Sequence, residues 1–213
     1  MYARHIVVVE NEALLRDLIG KTLEAAGFSV STAANAADAR RACLANDPDG
    51  LVVDIELGPG PDGFDFATAI TKDNPEVSIV FLTNLPDPRH AGRDSKIIGK
   101  HTAYLRKSEL IDSNQLIDAL NAVLTDQIED KHRHDLDPDR PFAKLSKKQL
   151  EVMQQIADGL TNQQISEARG TSVRAVEGMV SRIFEQLGID VHASGNARVE
   201  ATKKFLIATR PGE

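Results

Sequence analysis

The chain of 213 residues has one cysteine, Cys43, and no long uninterrupted apolar segment. One cysteine cannot form a disulfide within the chain, so we expect the protein to act in a reducing compartment. No apolar run approaches the roughly 18 residues that a membrane-spanning helix requires. Both absences favour a cytoplasmic protein that does not work in a membrane.

The sequence also lacks the short motifs that mark common enzyme classes. It contains no P-loop pattern, no cluster of zinc-ligating residues and no nucleophile elbow. His132 and His134 lie two residues apart in a charged stretch, where we expect them to be solvated rather than bound to a metal. We therefore predict that the protein is not an enzyme.

Basic residues are scarce in the first part of the chain and only slightly in excess in the last part. Residues 1–125 carry 12 basic and 18 acidic side chains, a formal charge of −6, and residues 126–141 carry 3 and 6, a charge of −3. Residues 142–213 carry 10 and 8, a charge of +2. Any contact with nucleic acid is expected in this last segment, because binding to phosphates depends on lysine and arginine.

The first 125 residues alternate strand patterns with helix patterns. Continuous apolar runs predict buried strands, and apolar residues at helical spacing predict helices. The predicted strands are Ile6–Val9, Phe28–Thr32, Gly50–Asp54, Val77–Thr83 and Thr102–Arg106, and the predicted helices are Asn11–Ala26, Asn35–Asn46, Phe64–Lys72 and Ser113–Asp126. Pro86, Pro88 and Gly92 delay or interrupt a helix after the fourth strand. Five strand–helix units with short connections predict a five-stranded, doubly wound parallel sheet.

The last part of the chain has helical patterns throughout. Ser146 and Thr161 each begin a capping-box pattern, and Gly159 and Gly170 follow where the two helices would end. A third helix is predicted from Val173 to Leu187 and a fourth from about Asn196 to Ala208. We predict a first domain over residues 1–125, a linker over 126–141, and a small all-α domain of four helices with a helix-turn-helix over 142–213.

Polar residues of different kinds follow the apolar strands of the first domain. Glu10 and Asn11 follow the first strand, Asp54 the third, Thr83 the fourth and Lys107 the fifth. The carboxyl ends of parallel strands share one edge of a sheet, where binding sites form. Carboxylates, a hydroxyl and an ammonium at this edge suit a small anion together with a divalent cation. Asp54 is the natural nucleophile for a phosphoryl group, because a carboxylate can form an acyl phosphate.

The same residues carry a resemblance to a known family. The segments Val-Val-Val-Glu10-Asn11, Val-Val-Asp54-Ile, Phe-Leu-Thr83-Asn and Tyr104-Leu-Arg-Lys107 occur in family order and spacing, and residues 5–125 resemble the receiver domain of two-component response regulators. The resemblance implies a flavodoxin-like fold, Asp54 as phospho-acceptor, Thr83 and Tyr104 as switch residues, and Lys107 as phosphate partner. It also implies a sensor histidine kinase as partner, Mg²⁺ as cofactor, and no chemistry beyond phosphorylation of Asp54 and slow hydrolysis of the product.

One position departs from the receiver pattern. The family usually has two acidic residues after the first strand. In this chain the two positions hold Glu10 and the uncharged Asn11. An amide oxygen is a weaker ligand for Mg²⁺ than a carboxylate. Glu12 or Glu56 would supply the missing carboxylate, and we favour Glu56, so that the predicted metal set is Glu10, Asn11, Asp54 and Glu56. The alternative is an atypical receiver with little or no phosphorylation.

Residues 142–208 resemble the LuxR-type helix-turn-helix of the NarL/FixJ class of response regulators. The resemblance runs through Leu145-Ser, Gly159-Leu-Thr-Asn162, Gln164-Ile165, Gly170, Val176, Ile183 and Leu187-Gly188-Ile189. It implies that the third helix enters the major groove of promoter DNA, with the outward-facing residues Arg174, Glu177, Gly178, Ser181 and Arg182 as its contacts. A homodimer is expected, because two half-sites roughly double the phosphate contacts.

Three features of the helical domain depart from the family pattern. The connection Asp190–Ala197 to the last helix is several residues longer than the family's. Glu177 lies where a basic contact is common, and a carboxylate repels phosphate although it can accept a hydrogen bond from cytosine. Arg169 and Thr171 occupy positions that are usually apolar. The alternative function is therefore a signalling protein that acts through protein–protein interaction rather than through DNA.

Overall fold

The computed structural model describes residues 3–99, 101–190 and 196–209. The chain forms two compact units, and each consists of two separate stretches of the sequence. The first unit contains the residues up to Thr83 and then Lys96–Asp135, and the second contains Asn84–Ser95 and the residues from Leu136 onward. The chain therefore passes into the second unit, returns to the first, and enters the second again.

The first unit is built around a five-stranded parallel sheet. Its strands are β1 (His5–Val9), β2 (Ser29–Ala33), β3 (Gly50–Val53), β4 (Ser78–Thr83) and β5 (Thr102–Arg106), in the spatial order β2-β1-β3-β4-β5. Every residue of β3, and every residue of β1 except His5, is buried, which explains their continuous apolar sequences. The order reverses direction at β1, and this topology confirms the predicted doubly wound sheet.

Four helices accompany the sheet: α1 (Ala13–Ala25), α2 (Ala36–Asn46), α3 (Gly63–Asp73) and α4 (Ser113–Leu124). Local capping explains where three of them begin. Asn35, Asp62 and Asp112 each accept a hydrogen bond from a backbone N–H in the first turn of the following helix. The bounds differ from the predicted bounds by one or two residues at most ends. Apolar residues of α1 and α4 pack against alternate residues of the strands to form one core.

The connection from β4 to β5 contains no α-helix within the described residues 84–99 and 101. It has two short 3₁₀ turns instead, Pro88–Ala91 and Ser95–Ile97. The predicted interruption of a helix after the fourth strand is confirmed here. The physical reason is local, because Pro86 and Pro88 fix φ and lack donors while Gly92 adopts a φ of +69° that ends the first turn.

Residues 126–135 of the predicted linker pack within the first unit. Arg133 pairs with Tyr104 in a parallel bridge at the outer edge of β5. His132 is buried, with Nε2 2.9 Å from a carboxylate oxygen of Asp118 and Nδ1 accepting the N–H of Glu129 at 3.0 Å. The expectation that this histidine is solvated is therefore wrong. The bounds 1–125, 126–141 and 142–213 stay a prediction about domains, and the compact units differ from them in residues 84–95 and 126–141.

The described residues of the second unit form four α-helices, α5 (Lys147–Ala157), α6 (Asn162–Arg169), α7 (Val173–Gln186) and α8 (Ala197–Thr209). Ser146 and Thr161 form complete capping boxes at the starts of α5 and α6, as predicted. Gly170 closes α6 at a φ of +61°, which leads directly into α7. No helix in the described ranges is long and apolar enough to span a bilayer.

Candidate functional site

Three charged side chains meet at the carboxyl edge of the sheet. Glu10 follows β1, Asp54 follows β3, and Lys107 follows β5. Lys107 Nζ lies 2.8 Å from Asp54 Oδ2 and 2.7 Å from Glu10 Oε2. All three side chains are largely buried, with exposed fractions of 12% for Lys107, 6% for Asp54 and 2% for Glu10. The structure therefore brings together three of the predicted site residues.

The charges of this cluster do not balance. Two carboxylates face one ammonium, so the cluster holds one negative charge in excess when all groups are ionised. Burial and then the charge of Asp54 raise the pKa of Glu10. Burial on its own lowers the pKa of Lys107, but the charges and hydrogen bonds of Asp54 and Glu10 outweigh it and raise that pKa. The ammonium is therefore held in its charged form, and the remaining negative charge favours a further cation.

Backbone donors orient the two carboxylates. The N–H of Glu12 donates to Glu10 Oε1 at 3.0 Å, and the N–H of Glu56 donates to Asp54 Oδ1 at 3.2 Å. Arg16 supports the loop after β1, since its Nη1 donates to the carbonyl oxygens of Glu10 at 2.7 Å and Asn11 at 3.2 Å. Sequence analysis missed Arg16, because this contact depends on how the first turn of α1 folds back over the loop.

Gly63 is a second residue that sequence analysis did not single out. It begins α3, and its N–H donates to the carbonyl oxygen of Ile55 at 2.9 Å. A Cβ at this position would lie 2.2 Å from the carbonyl oxygen of Asp54 and 2.8 Å from Ile55 Cα. Only glycine allows this close approach of two backbone segments beside the acceptor. A glycine after the Gly/Pro-rich loop was visible in the sequence, but its partner was not.

The predicted metal ligands are brought together only in part. Glu10 and Asp54 share Lys107, whereas Asn11 and Glu56 are exposed. No group of three or more histidine, cysteine, aspartate or glutamate side chains with metal-binding geometry occurs in the described part of the chain. A role for Glu56 or Glu12 as a further ligand stays a prediction. Two buried carboxylates with an excess negative charge do fit a hard divalent cation that prefers oxygen ligands.

The predicted switch residues lie on the two strands at one side of the sheet. Thr83 ends β4 and pairs in register with Arg106, and Tyr104 lies within β5 opposite Phe81. Thr83 and Tyr104 are fully buried. The ring of Tyr104 lies 6.4 Å from that of Phe81, which in turn lies 4.8 Å from that of Phe64. The rings of Phe64, Phe81 and Tyr104 therefore form one packed row.

The helix predicted to contact DNA presents the expected face to solvent. Val176, Val180 and Ile183 are buried, and Leu187, just beyond the end of α7, is half-buried. The exposed residues of the outward face are Arg174, Glu177, Ser181 and Arg182, and Gly178 is half-buried between them. A Cβ at Gly178 would meet only Arg182 Nη1 at 3.7 Å, so packing does not demand glycine there. Their role at DNA stays a prediction.

Arg169 accounts for one departure from the family pattern in the helical unit. Its side chain is 21% exposed and Nη1 lies 3.2 Å from Glu151 Oε2 on α5. An ion pair between α6 and α5 therefore occupies a position that is usually apolar. The turn between α6 and α7 keeps its hydrogen bonds, with the N–H of Thr171 donating to the carbonyl oxygen of Ser166 at 3.0 Å.

Both halves of the chain match known families. The family described as the response regulator receiver domain matches residues 6–121. The family described as bacterial regulatory proteins, luxR family, matches residues 143–193. The first match spans more than half of the chain and includes Glu10, Asp54, Thr83, Tyr104 and Lys107.

Relatives cover most of the chain at low identity. The oxygen regulatory protein NreC of Staphylococcus haemolyticus is 27% identical over 176 residues, which are 75% of this chain and 79% of that protein. The protein of the same name from Staphylococcus aureus is 25% identical over 202 residues, 86% of this chain and 91% of that protein. RcsB of Salmonella enterica serovar Typhimurium, solved bound to the promoter rprA with the phosphomimetic BeF3−, shares the fold with a TM-score of 0.55 at 16% identity, covering 95% of this chain and 99% of that chain.

Proposed function

Because this chain belongs to the response regulator receiver family, we propose that it is a DNA-binding regulator of a two-component system whose phospho-acceptor is Asp54. The observation that supports this most directly is the buried cluster in which Lys107 contacts both Asp54 and Glu10. Fixed charges in a buried site stabilise developing charge more strongly than charges in water do. A cytoplasmic location with a sensor histidine kinase as partner belongs to the same proposal.

The reaction transfers one phosphoryl group to Asp54. A carboxylate oxygen attacks the phosphorus of a phosphohistidine, the new O–P bond forms as the P–N bond breaks, and the imidazole nitrogen keeps the electron pair and takes up a proton. Lys107 holds the carboxylate in place and then pairs with a phosphoryl oxygen. The hydroxyl of Thr83 donates a hydrogen bond to another phosphoryl oxygen. Slow attack by water on the phosphorus later returns Asp54 to a carboxylate.

Mg²⁺ is the proposed cofactor of this step. Glu10 and Asp54 would hold it, with Asn11 and a carboxylate from Glu56 or Glu12 completing the set. When bound, a divalent cation neutralises charge on the transferred oxygens and orients them. The negative charge in excess at the cluster supports this assignment, since one added cation together with one phosphoryl dianion brings the site close to balance.

The phosphorylation proposal predicts a mass change that depends on Asp54. After incubation with acetyl phosphate and Mg²⁺, the intact mass of the wild type should rise by one phosphoryl group, about 80 Da. The Asp54→Asn variant should show no gain, because an amide cannot form the acyl phosphate.

The matched control for this measurement is Asp65→Asn, which makes the same change at the first turn of α3. It should gain mass like the wild type. A wild type that stays unmodified at millimolar Mg²⁺ would contradict the proposal and support an atypical receiver.

The second unit is proposed to bind promoter DNA as part of a homodimer. The support is the outward face of α7, with Arg174 and Arg182 at its exposed edges and a half-buried glycine between them. Arg174 and Arg182 would contact phosphates, and Gly178 and Ser181 would approach the base edges. Glu177 would then select cytosine or exclude other sequences. Two half-sites supply the phosphate contacts that one weakly basic unit lacks.

The DNA proposal predicts that Arg182→Ala weakens binding to every sequence by a similar factor. The slope of log affinity against log salt should fall by about 1, since one phosphate contact is lost. The probe is a duplex selected from a random pool with the wild type. Arg40→Ala, which removes an exposed arginine from α2 in the first unit, should leave the slope unchanged. Equal effects of the two substitutions, or an absence of salt-dependent binding, would favour a protein-binding role.

A further inference from the structure

Residues 126–135, which we call the strap, pack in the first unit against the outer edge of β5. Arg133 pairs with Tyr104 in a parallel bridge, and the partly buried Ile128 packs against the apolar core. The guanidinium of Arg133 is fixed by the buried Asp135, with Nε and Nη2 each 2.8 Å from a carboxylate oxygen. An edge strand presents backbone groups that have no partner in the sheet, and the strap covers part of this edge.

His132 attaches the strap to α4. Its side chain is buried, Nε2 lies 2.9 Å from Asp118 Oδ2, and the N–H of Glu129 donates to Nδ1 at 3.0 Å. A backbone N–H can only donate, so Nδ1 must carry a lone pair. The proton of the neutral ring is then on Nε2, where it faces the carboxylate. Both contacts are made together only by the neutral ring.

His134 makes a similar attachment to β5. The N–H of Arg106, the last residue of the strand, donates to His134 Nδ1 at 3.1 Å, and the ring is largely buried. Two histidines of the strap therefore each accept a backbone N–H through the same ring nitrogen. Protonation of either ring would turn its acceptor into a donor that faces another donor, and it would place a charge in a largely buried position.

The charged groups around His132 compensate little for that loss. Lys131 Nζ lies 2.9 Å from the same oxygen of Asp118 that His132 contacts, and 3.3 Å from a carboxylate oxygen of Glu129. Hydrogen bonds from His132 and then from Lys131 lower the pKa of Asp118, which is therefore ionised and already has a cationic partner. Asp118 is also exposed, so solvent screens its attraction for a charged ring.

The charged groups around His134 and at the start of the strap are paired as well. Glu109 Oε2 lies 3.2 Å from His134 Nδ1, but the other carboxylate oxygen of Glu109 pairs with the guanidinium of Arg106. Asp126 pairs with His101, and both of these side chains are exposed, so that solvent screens their attraction. The neighbouring charges therefore do not offset the loss of the two acceptors.

We propose that the strap is a pH-sensitive attachment, which is closed while His132 and His134 are neutral and is released as these rings take up protons in mildly acidic conditions. Histidine is the side chain whose charge ordinarily changes between about pH 5 and 8. Release exposes the outer edge of β5 and frees residues 126–135, directly before Leu136, where the chain enters the second unit. The connection to that unit lengthens by at most about 35 Å. This inference goes beyond the proposed function, because the release needs no phosphoryl group.

Hydrogen exchange of the full chain at pH 7.5 and pH 5.5 tests the release, with the protection factor as the measured quantity. An exposed histidine titrates near pH 6.5, so at pH 5.5 its protonated form exceeds its neutral form about tenfold. Because the open strap binds more protons than the closed one, opening becomes more favourable as pH falls. Each ring that must stay neutral should thus lower the protection about tenfold. We expect this loss at the amides of Arg106, Glu129 and Arg133, which donate hydrogen bonds at or within the strap.

Two results with the wild type would overturn the inference. One is equal protection of these amides at both pH values, or a parallel loss in β1 and β3, which would show that the whole sheet opens. The other comes from the tautomers, which nitrogen-15 NMR of the histidine rings reports. At pH 7.5 the rings of His132 and His134 should be neutral with the proton on Nε2, and a proton on Nδ1 of His132 would contradict the closed strap.

Substitutions assign the effect to the two histidines. The double variant His132→Asn/His134→Asn has an amide oxygen near the position of each Nδ1, which accepts an N–H at any pH. The ratio of strap protection between the two pH values should then be close to one, whatever the level of protection. His5→Asn is the matched control, because the ring nitrogens of His5 contact the hydroxyls of Ser29 and Ser31 at 3.0 Å, and a hydroxyl both donates and accepts. The control should keep the ratio of the wild type. A double variant that still loses protection on acidification, or a control that no longer does, would overturn the inference.

Discussion

The Gly63→Ala variant is expected to lose about 3 kcal/mol or more of unfolding free energy in the first unit. A methyl group there would lie 2.2 Å from the carbonyl oxygen of Asp54, a backbone atom that cannot rotate away. Overpacking usually costs about 1–3 kcal/mol, and a clash between two backbone segments belongs at or above the upper end. The loop carrying Asp54 must shift, which also moves its carboxylate from Lys107. We therefore expect phosphoryl uptake to be lost together with stability.

Tyrosine fluorescence during urea unfolding measures this loss in the first unit. The chain has no tryptophan and two tyrosines, Tyr2 and Tyr104, and Tyr104 is buried in the first unit. Gly99→Ala is the matched control, since a Cβ there meets nothing closer than Thr102 Oγ1 at 3.5 Å. The control should stay within about 1 kcal/mol of the wild type. A Gly63→Ala variant as stable as the control would contradict the close approach seen in the structure.

Replacing Lys107 with methionine is expected to lower the unfolding free energy by about 3 kcal/mol at mildly alkaline pH. Removing one partner of a buried ion pair typically costs about 3–5 kcal/mol, and here two carboxylates are left facing each other. The pKa of Glu10 is already raised by burial and by Asp54, and Lys107 opposes that rise. Without the ammonium the pKa rises further above its ordinary 4.5.

The same variant should have a characteristic pH dependence. A carboxyl with a folded-state pKa above its unfolded value binds more protons in the folded state, so stability increases as pH falls through the folded pKa. The difference in unfolding free energy between Lys107→Met and the wild type should therefore decrease as the pH is lowered towards the ordinary pKa of glutamate. Urea unfolding at several pH values measures this difference. The double variant Glu10→Gln/Lys107→Met should differ less from the wild type in unfolding free energy, and this difference should not depend on pH in the same way. A difference between Lys107→Met and the wild type that increases on acidification would exclude protonation of Glu10 as the cause.

The sequence predicted the parts of the site that follow from position along the chain. Parallel strands end at one edge, so Glu10, Asp54 and Lys107 were expected together before any contact was known. The outward face of α7 followed in the same way from the helical period. Both predictions depend on local periodicity and on strand order, which a single sequence contains.

The parts that were missed depend on residues far apart in the chain. Asp87 and Arg140 are 53 positions apart, and neither stretch shows a pattern that pairs it with the other. No local sequence pattern indicates that Gly63 lies against the carbonyl oxygen of Asp54. His132 was expected in solvent because its neighbours are charged, yet Asp118 gives it a buried partner. In each case a tertiary contact outweighs the local composition.

The threefold passage of the chain between the two units limits how such a protein can be recombined. A single crossover in residues 126–141 would bring a foreign receiver to this helical unit without Asp87, Arg89 and His90. The hybrid would leave Arg140 without the buried carboxylate of Asp87, which its Nε contacts at 2.8 Å. The rings of Phe142 and Phe205 would lose their contact with the ring of His90. A single joint would therefore leave the helical unit without a segment that packs in it.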